Sequence, residues 1–478
     1  MAYTRTISQK PSVGASTPAE VTPPTAVRAQ PRGRNGKTRT QGHDPSLNKA
    51  GVAFFFLLVF TGLLFGRPAD IFWSLQVIPL AMIGALAAAG AYGFTLLQGG
   101  APFILTREMK IVMAMTVIFV LGLPFAYWRQ MTYDILMESW LKTVIIFLLI
   151  TQTMFTMDRV RKLLWVILLC MFVVCSYSLV DPRSNIITEG GRLRGSTVGF
   201  LSGNYLGLAA AVTLPYMSVF LVRSRSLIGT VLLISTFSLV MLMVVRGASR
   251  SNMICVVISL VLVWWEVLRH AKRGRVMGMV FALAIVGSVL SAPGIFWDRI
   301  STMWTGEGIA VSDHARSAGE SEFQRKALAI RAIRYTLENP LVGLGLGNFS
   351  QRSGSEYGAQ DWKGAHNTYL QLASETGIPG FVLFLSLLWV TVKNMRRIRN
   401  SPGEKAAVKE LRQMANATSA SIYAFMISGF FAHLAYDFYL YYLIGISVAL
   451  QAVHQNYVSR GLIPAHVGYH GMRGRNQR

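Results

Sequence analysis

Long apolar runs alternate along this chain with short polar breaks. The runs are roughly 17 to 25 residues, the length that crosses a ~30 Å hydrocarbon core. They lie near 50–66, 71–97, 110–128, 141–156, 163–180, 197–222, 227–245, 251–268, 276–292, 369–392, 416–434 and 438–455. The pattern predicts an all-α polytopic membrane protein with about twelve transmembrane helices. Two stretches break it. Residues 1–49 are rich in Pro, Thr, Ser, Gly and Arg and poor in large apolar residues. Such a segment cannot bury enough surface to fold, so it reads as a disordered basic tail. Residues 293–368 form the longest polar segment between runs. Within it, 322–338 has the spacing of an amphipathic helix, with Ala327, Leu328, Ile330, Ile333 and Leu337 at its apolar positions. Asn339-Pro340 ends that helix. Leu341 to Phe349 then carries Gly343, Gly345 and Gly347, which allow tight turns and close backbone approach. This reads as a loop packed over the membrane domain in the manner of a lid. The domain map is thus a tail (1–49), helices one to nine (50–292), a large outer loop (293–368), helices ten to twelve (369–455) and a second basic tail (456–478).

Composition agrees with this pattern. The chain is 52% hydrophobic and 14% charged, where a soluble domain carries about a quarter charged residues. The first apolar run begins near Ala50 after the long tail, so it reads as a retained span and not a cleaved leader. A net charge of +24 would suit nucleic acid in a soluble protein. In a membrane protein it belongs in cytoplasmic loops beside anionic lipid. Placing the N-terminal tail inside puts about two thirds of the Lys and Arg residues on the cytoplasmic side, and long loops scarcely affect this vote. Both tails then face the cytoplasm, and the large loop faces the periplasm. Cys170, Cys175 and Cys255 all lie in apolar runs and read as small buried hydrophobes. No CxxC or HExxH pattern occurs, so neither a metal site nor a cofactor is expected.

That orientation makes several outer residues conspicuous. Short outer loops should be poor in Arg, yet Arg192, Arg194, Arg246 and Arg250 sit in them or at their edges. A guanidinium is a permanently charged fork suited to phosphate oxygens. Headgroup contact or a local ion pair is the plainer role for any one of them. His366 closes the large loop just before a span, where a titratable imidazole meets both water and membrane. The plainer role for His366 is to cap the helix that starts near Tyr369; Asn367 could itself be that cap, which would leave His366 facing a cavity. Glu375, nine residues on, is too far along the helix for direct contact with His366; it reads as structural, pairing with a loop Arg. His433 and Asp437, four apart, could share one helix face at an outer turn; they read as a hydrogen-bonded pair, with part of an acceptor site as the alternative. Lys142 and Glu266 read as side chains that snorkel to the interface.

His366-Asn367 followed by Leu370, Glu375 and Gly377 resembles the H-N-x-x-L-x-x-x-x-E-x-G signature of the O-antigen ligase and polysaccharide polymerase superfamily. Asn339-Pro340-Leu341-Val342-Gly343-Leu344-Gly345 resembles the turn that precedes that signature, and Ser249-Arg250 resembles its Ser-Arg pair at the opening of a span. Arg192-Leu193-Arg194-Gly195 followed by Asn204-Tyr205-Leu206-Gly207 is similar to its R-x-x-G…N-x-L-G pattern, with a longer spacing and with Gly203 where Pro is usual. Either Arg192 or Arg194 therefore matches the family position. The layout of spans and the single outer loop also match, over roughly residues 50 to 455.

The resemblance implies a GT-C-like membrane glycosyltransferase of the bacterial inner membrane. Its donor would be a glycan on undecaprenyl pyrophosphate. Its acceptor would be a sugar hydroxyl, on lipid A core for a ligase or on a growing polysaccharide for a polymerase; a protein-glycosylating member is a third variant. His366 would be the general base. Arg250 and one or both of Arg192 and Arg194 would bind pyrophosphate, with Arg246 as a further candidate, in a metal-independent, inverting reaction. A transporter or flippase is the reading from another class. Against it, the ionisable residues lie at the outer boundary, whereas transport sites lie near mid-membrane.

Overall fold

Several helices start where a short polar side chain closes an apolar run. Thr106 caps α3 (Arg107–Gly122), Thr156 caps α5 (Met157–Val180) and Ser226 caps α7 (Leu227–Arg246), each accepting a bond from the backbone N–H three residues on. The computed structural model describes residues 51–99, 103–185, 187–188, 192–193, 205–247, 249–270, 273–292, 294, 296–297, 313–358 and 362–464. The remaining main helices are α1 (Gly51–Gly66), α2 (Leu80–Leu97), α4 (Leu141–Thr153), α6 (Tyr205–Arg223), α8 (Arg250–Glu266), α9 (Gly274–Leu290), α10 (Asp313–Glu338), α11 (Asn348–Tyr357), α12 (Thr368–Arg399), α13 (Ala406–Ser428) and α14 (Phe438–Ser459). The N-terminal tail and residues 465–478 lie outside the described residues.

Among the described residues, seven helices are long and apolar enough to cross a membrane: Gly51–Ile71, Leu80–Leu97, Arg107–Phe125, Met157–Val180, Leu206–Arg223, Leu227–Arg246 and Thr368–Arg399. Asn252–Glu266 and Gly274–Leu290 are apolar but shorter. The chain is a membrane protein with several transmembrane helices. The predicted run at 71–97 is helical only from Leu80, because Pro68 and Pro79 break the preceding stretch into a four-residue helix and a turn.

α6 is the most buried of these seven: 89% of its apolar window is buried in the protein, against 28% for α2. Its sequence explains this. A Cβ on Gly207 would lie 2.5 Å from Asn252 Cα, so α6 and α8 approach backbone to backbone. Small residues permit such contacts in membranes, and hydroxyls then bond across helices. Ser259 donates to the Ala211 carbonyl (3.0 Å), Ser421 to the Val212 carbonyl (2.7 Å) and Tyr216 to Thr418 (3.0 Å).

The helix ends sort into two groups. At one, Arg399 pairs with Glu266 (2.9 Å), Arg223 with Glu410 (3.0 Å), and the Glu108 carboxylate accepts from Asn394 (2.8 Å) and Gln451 (2.7 Å). Glu266, expected to snorkel, is thus held in an ion pair. At the other end, the start of α12 meets the 429–437 connector between α13 and α14. There Thr368 donates its N–H to the Gly429 carbonyl (2.7 Å) and its hydroxyl to the Ala432 carbonyl (2.8 Å).

α10 differs from its predicted face. Leu328, Ala332 and Tyr335 form its buried stripe, packed on Leu344, Phe349 and Ala365. Ile330, Ile333 and Leu337, predicted as core positions, are 69%, 51% and 73% exposed. Tyr335 and Ala332 won because α10 is anchored to α11 through them: Tyr335 donates to Glu356 (3.0 Å), which also pairs with Arg352 (2.8 Å) and Arg334.

Candidate functional site

Asn367 caps α12 as predicted from its position. Its side-chain oxygen accepts from the N–H groups of Tyr369 (3.0 Å) and Leu370 (3.1 Å). The chain turns sharply to reach it. His366 has φ 49, in the left-handed region that disfavours L-residues. Its half-buried imidazole meets the imidazole of His433 edge to face, with ring centroids 5.4 Å apart. His433 Nδ1 is buried without a hydrogen-bond partner among the described residues. The Gly364 backbone presses on the His433 ring, leaving only 3.0 Å for a Cβ.

Burial lowers the His366 pKa from its ordinary value to about 4, helped by His433, Arg325 and Lys363. At neutral pH the imidazole is therefore an uncharged base with a free lone pair. His433 is lowered too, by burial.

His433 and Asp437 do not form the predicted pair. They lie in a non-helical connector, where a spacing of four carries no shared face. Asp437 instead caps α14 by accepting from Tyr439 N–H (3.0 Å), and burial raises its pKa to about 6.

Glu375 is structural as predicted, but its partners are not arginines. Its carboxylate accepts from Phe349 N–H (3.2 Å), Tyr436 OH (2.7 Å) and Gln371 (3.4 Å). It thus caps α11 while fastening the 429–437 connector. The glycine turn docks onto the same place. Leu344 N–H and Gly345 N–H donate to the Ser374 and Glu375 carbonyls (both 2.9 Å), and Ile378 N–H donates to the Pro340 carbonyl (2.8 Å). α12 breaks there, at Gly377 (φ 67). A Cβ on Gly377 would lie 2.7 Å from Leu341 C, so the approach requires glycine. The Gly343–Gly347 turn is therefore an anchor riveted to the break in α12, and not a lid.

Arg194 lies outside the described residues, as do the side chains of Arg192 and Arg250. The backbone of Arg192 pairs with Thr188 in a short antiparallel ladder. Arg250 opens α8, and Arg246 is the half-buried last residue of α7. Five residues beyond Arg250, Cys255 packs in one cluster with Ala424 and Phe431. Cys255 in the second turn of α8 is thus in the same cluster as Phe431 of the 429–437 connector. No group of three or more His, Cys, Asp or Glu residues that could hold a metal occurs among the described residues.

Residues 234–385 match the family described as O-Antigen ligase. This stretch of the chain is similar to that family. The matched stretch runs from within α7 into α12. It takes in Arg246, Arg250, the glycine turn, His366, Glu375 and Gly377. Arg192, Arg194 and His433 lie beyond it. No curated protein matches the chain. Sequence reasoning missed His433 as the ring partner of His366 and Tyr436 as the partner of Glu375. Only the nearness of His433 to a span boundary hinted at either.

Proposed function

We propose that this protein transfers a glycan from undecaprenyl pyrophosphate to an acceptor hydroxyl at the periplasmic face of the bacterial inner membrane, by a metal-independent, inverting reaction. The observation that carries the reading is His366: an uncharged imidazole inside the stretch similar to the O-antigen ligase family, at a helix end and wedged against His433. The acceptor oxygen gives its proton to the imidazole and bonds to the anomeric carbon. The bond from that carbon to the pyrophosphate oxygen breaks, and its electron pair leaves with the pyrophosphate. Arg250 and one or both of Arg192 and Arg194 would neutralise the leaving charge, with Arg246 as a further candidate; fixed charges act most strongly in such a partly dehydrated site.

The topology within this proposal has about twelve spans, adding α4, α8, α9, α13 and α14 to the seven long helices, with one large periplasmic loop and both termini cytoplasmic. Its support is the sorting of helix ends, because the Lys- and Arg-rich ends gather opposite His366. His366→Ala tests the reading: glycan transfer is expected to vanish in membranes holding normal amounts of the variant, and retained transfer would refute it. A deletion strain separates the two acceptors. Lipid-linked polymer accumulating with loss of long-chain lipopolysaccharide marks a ligase, and single repeat units accumulating mark a polymerase.

A further inference from the structure

A cavity of about 490 Å³ opens where α1 ends, between residues 67–82, the start of α4 and the 436–438 segment. Arg67, Asp70, Glu138, Lys142 and Asp437 supply its charged lining, and Phe60, Leu64 and Phe438 part of its apolar wall. Lys142, expected to reach for lipid headgroups, faces this space instead. Two backbone irregularities sit in the wall. Arg67 has φ 41; among the described residues only Arg67 and His366 hold a positive φ without being glycine. Leu136–Trp140 makes a π turn, whose extra residue re-aims Glu138 and Ser139. Distortions of both kinds cost stability and persist where a site requires them.

The charges decide what fits. Among the described lining residues, three carboxylates face two cations, and Arg67 is already paired with Asp70 at 2.8 Å. Such a lining repels a phosphate. It suits hydroxyl groups, which donate to carboxylates and accept from Arg and Lys. The apolar wall suits an alkyl chain. Tyr436 and Asp437 line it only three and four residues after His433, which touches His366. One short connector therefore joins this cavity to the candidate base.

We propose that the cavity binds the hydroxyl-rich headgroup of an uncharged amphiphile of glycolipid type. None of the arginines assigned to pyrophosphate is among its described lining residues. Its role as the acceptor site rests on the transfer reading above; the binding itself does not.

The test uses the full chain in nanodiscs and an alkyl maltoside carrying a diazirine. Photolabel is expected in peptides spanning 60–82 or 136–146. Excess dodecyl maltoside should abolish it, and dodecyl phosphate at equal concentration should leave it intact. The double variant Glu138→Gln with Lys142→Gln should weaken maltoside competition about tenfold, the scale of a lost charged hydrogen bond. Ser139→Trp, filling the cavity from an exposed position, should remove the label and covers the case in which the double variant folds poorly. Label confined to other peptides, dodecyl phosphate competing as well as the maltoside, or wild-type labelling in both variants would overturn the proposal. His366→Ala should keep the label, so a failed transfer reading and a failed binding site give different results.

Discussion

The imidazoles of His366 and His433 stand at 71° to each other with their centroids 5.4 Å apart. Neither residue is in a helix, so each is positioned by the other and by the backbone around it. Gly364 closes one side of His433. Replacing His433 by Ala leaves His366 free to swing, and misplacement on this scale lowers transfer about ten- to a hundredfold. His433→Phe preserves an edge-to-face contact and should retain most activity. Transfer rates in membranes matched for protein amount check this. Equal loss in both variants would mean that the His433 nitrogen itself takes part.

The pH dependence follows from the lowered His366 value of about 4. In the unfolded chain an imidazole takes up its proton at about 6.5. Between these values the unfolded state binds a proton that the folded state refuses. This residue's contribution to stability therefore falls as pH drops from about 6.5 toward 4. For activity, kcat/KM reports the free protein and should hold through pH 6. A bound pyrophosphate favours the imidazolium, so the acid limb of kcat should lie higher than that of kcat/KM. An acid limb of kcat/KM at or above the ordinary histidine value would contradict the buried, uncharged base.

Gly377→Ala asks whether the break in α12 is needed. The residue holds φ 67, and the new Cβ would fall 2.7 Å from both Leu341 C and the Pro340 carbonyl oxygen. Backbone strain of this kind costs about 1–3 kcal/mol before any clash is counted. A clear drop in the thermal unfolding midpoint is expected. Gly287→Ala, in open space on α9, should leave the midpoint unchanged or raise it.

Glu375→Ala leaves Phe349 N–H and Tyr436 OH buried without their acceptor. Each such orphan costs about 1–3 kcal/mol. Glu375→Gln keeps one carbonyl oxygen and should lose roughly half as much by the same reasoning. Denaturant unfolding in detergent measures the difference, and hydrogen exchange at Phe349 shows whether α11 has come loose. Equal stability of the two variants would mean that the carboxylate does not cap α11.

Much of this was legible in the order of residues. Apolar runs located the helices because lipid leaves the backbone few other solutions. Asn367 announced its cap by type and place, and the glycines announced a close approach. What the chain could not reveal was which distant backbone they approach. The partner of Gly343 is Glu375, across 32 residues. His433 was visible as a titratable group, yet its partner lay 67 positions away, beyond any periodicity. α10 failed for a related reason. Its apolar residues fit more than one stripe, and contacts with α11 decided between them.

The rivet between the glycine turn and the break in α12 bears on how a bulky glycan reaches His366. Pro340, Leu344 and Gly345 are bonded to residues 374–378, so this corner of the outer loop travels with α12 as one rigid bracket. Bending there would break these three bonds. In the proposed transfer, an incoming sugar chain would therefore approach His366 past a bracket whose two halves are bonded backbone to backbone.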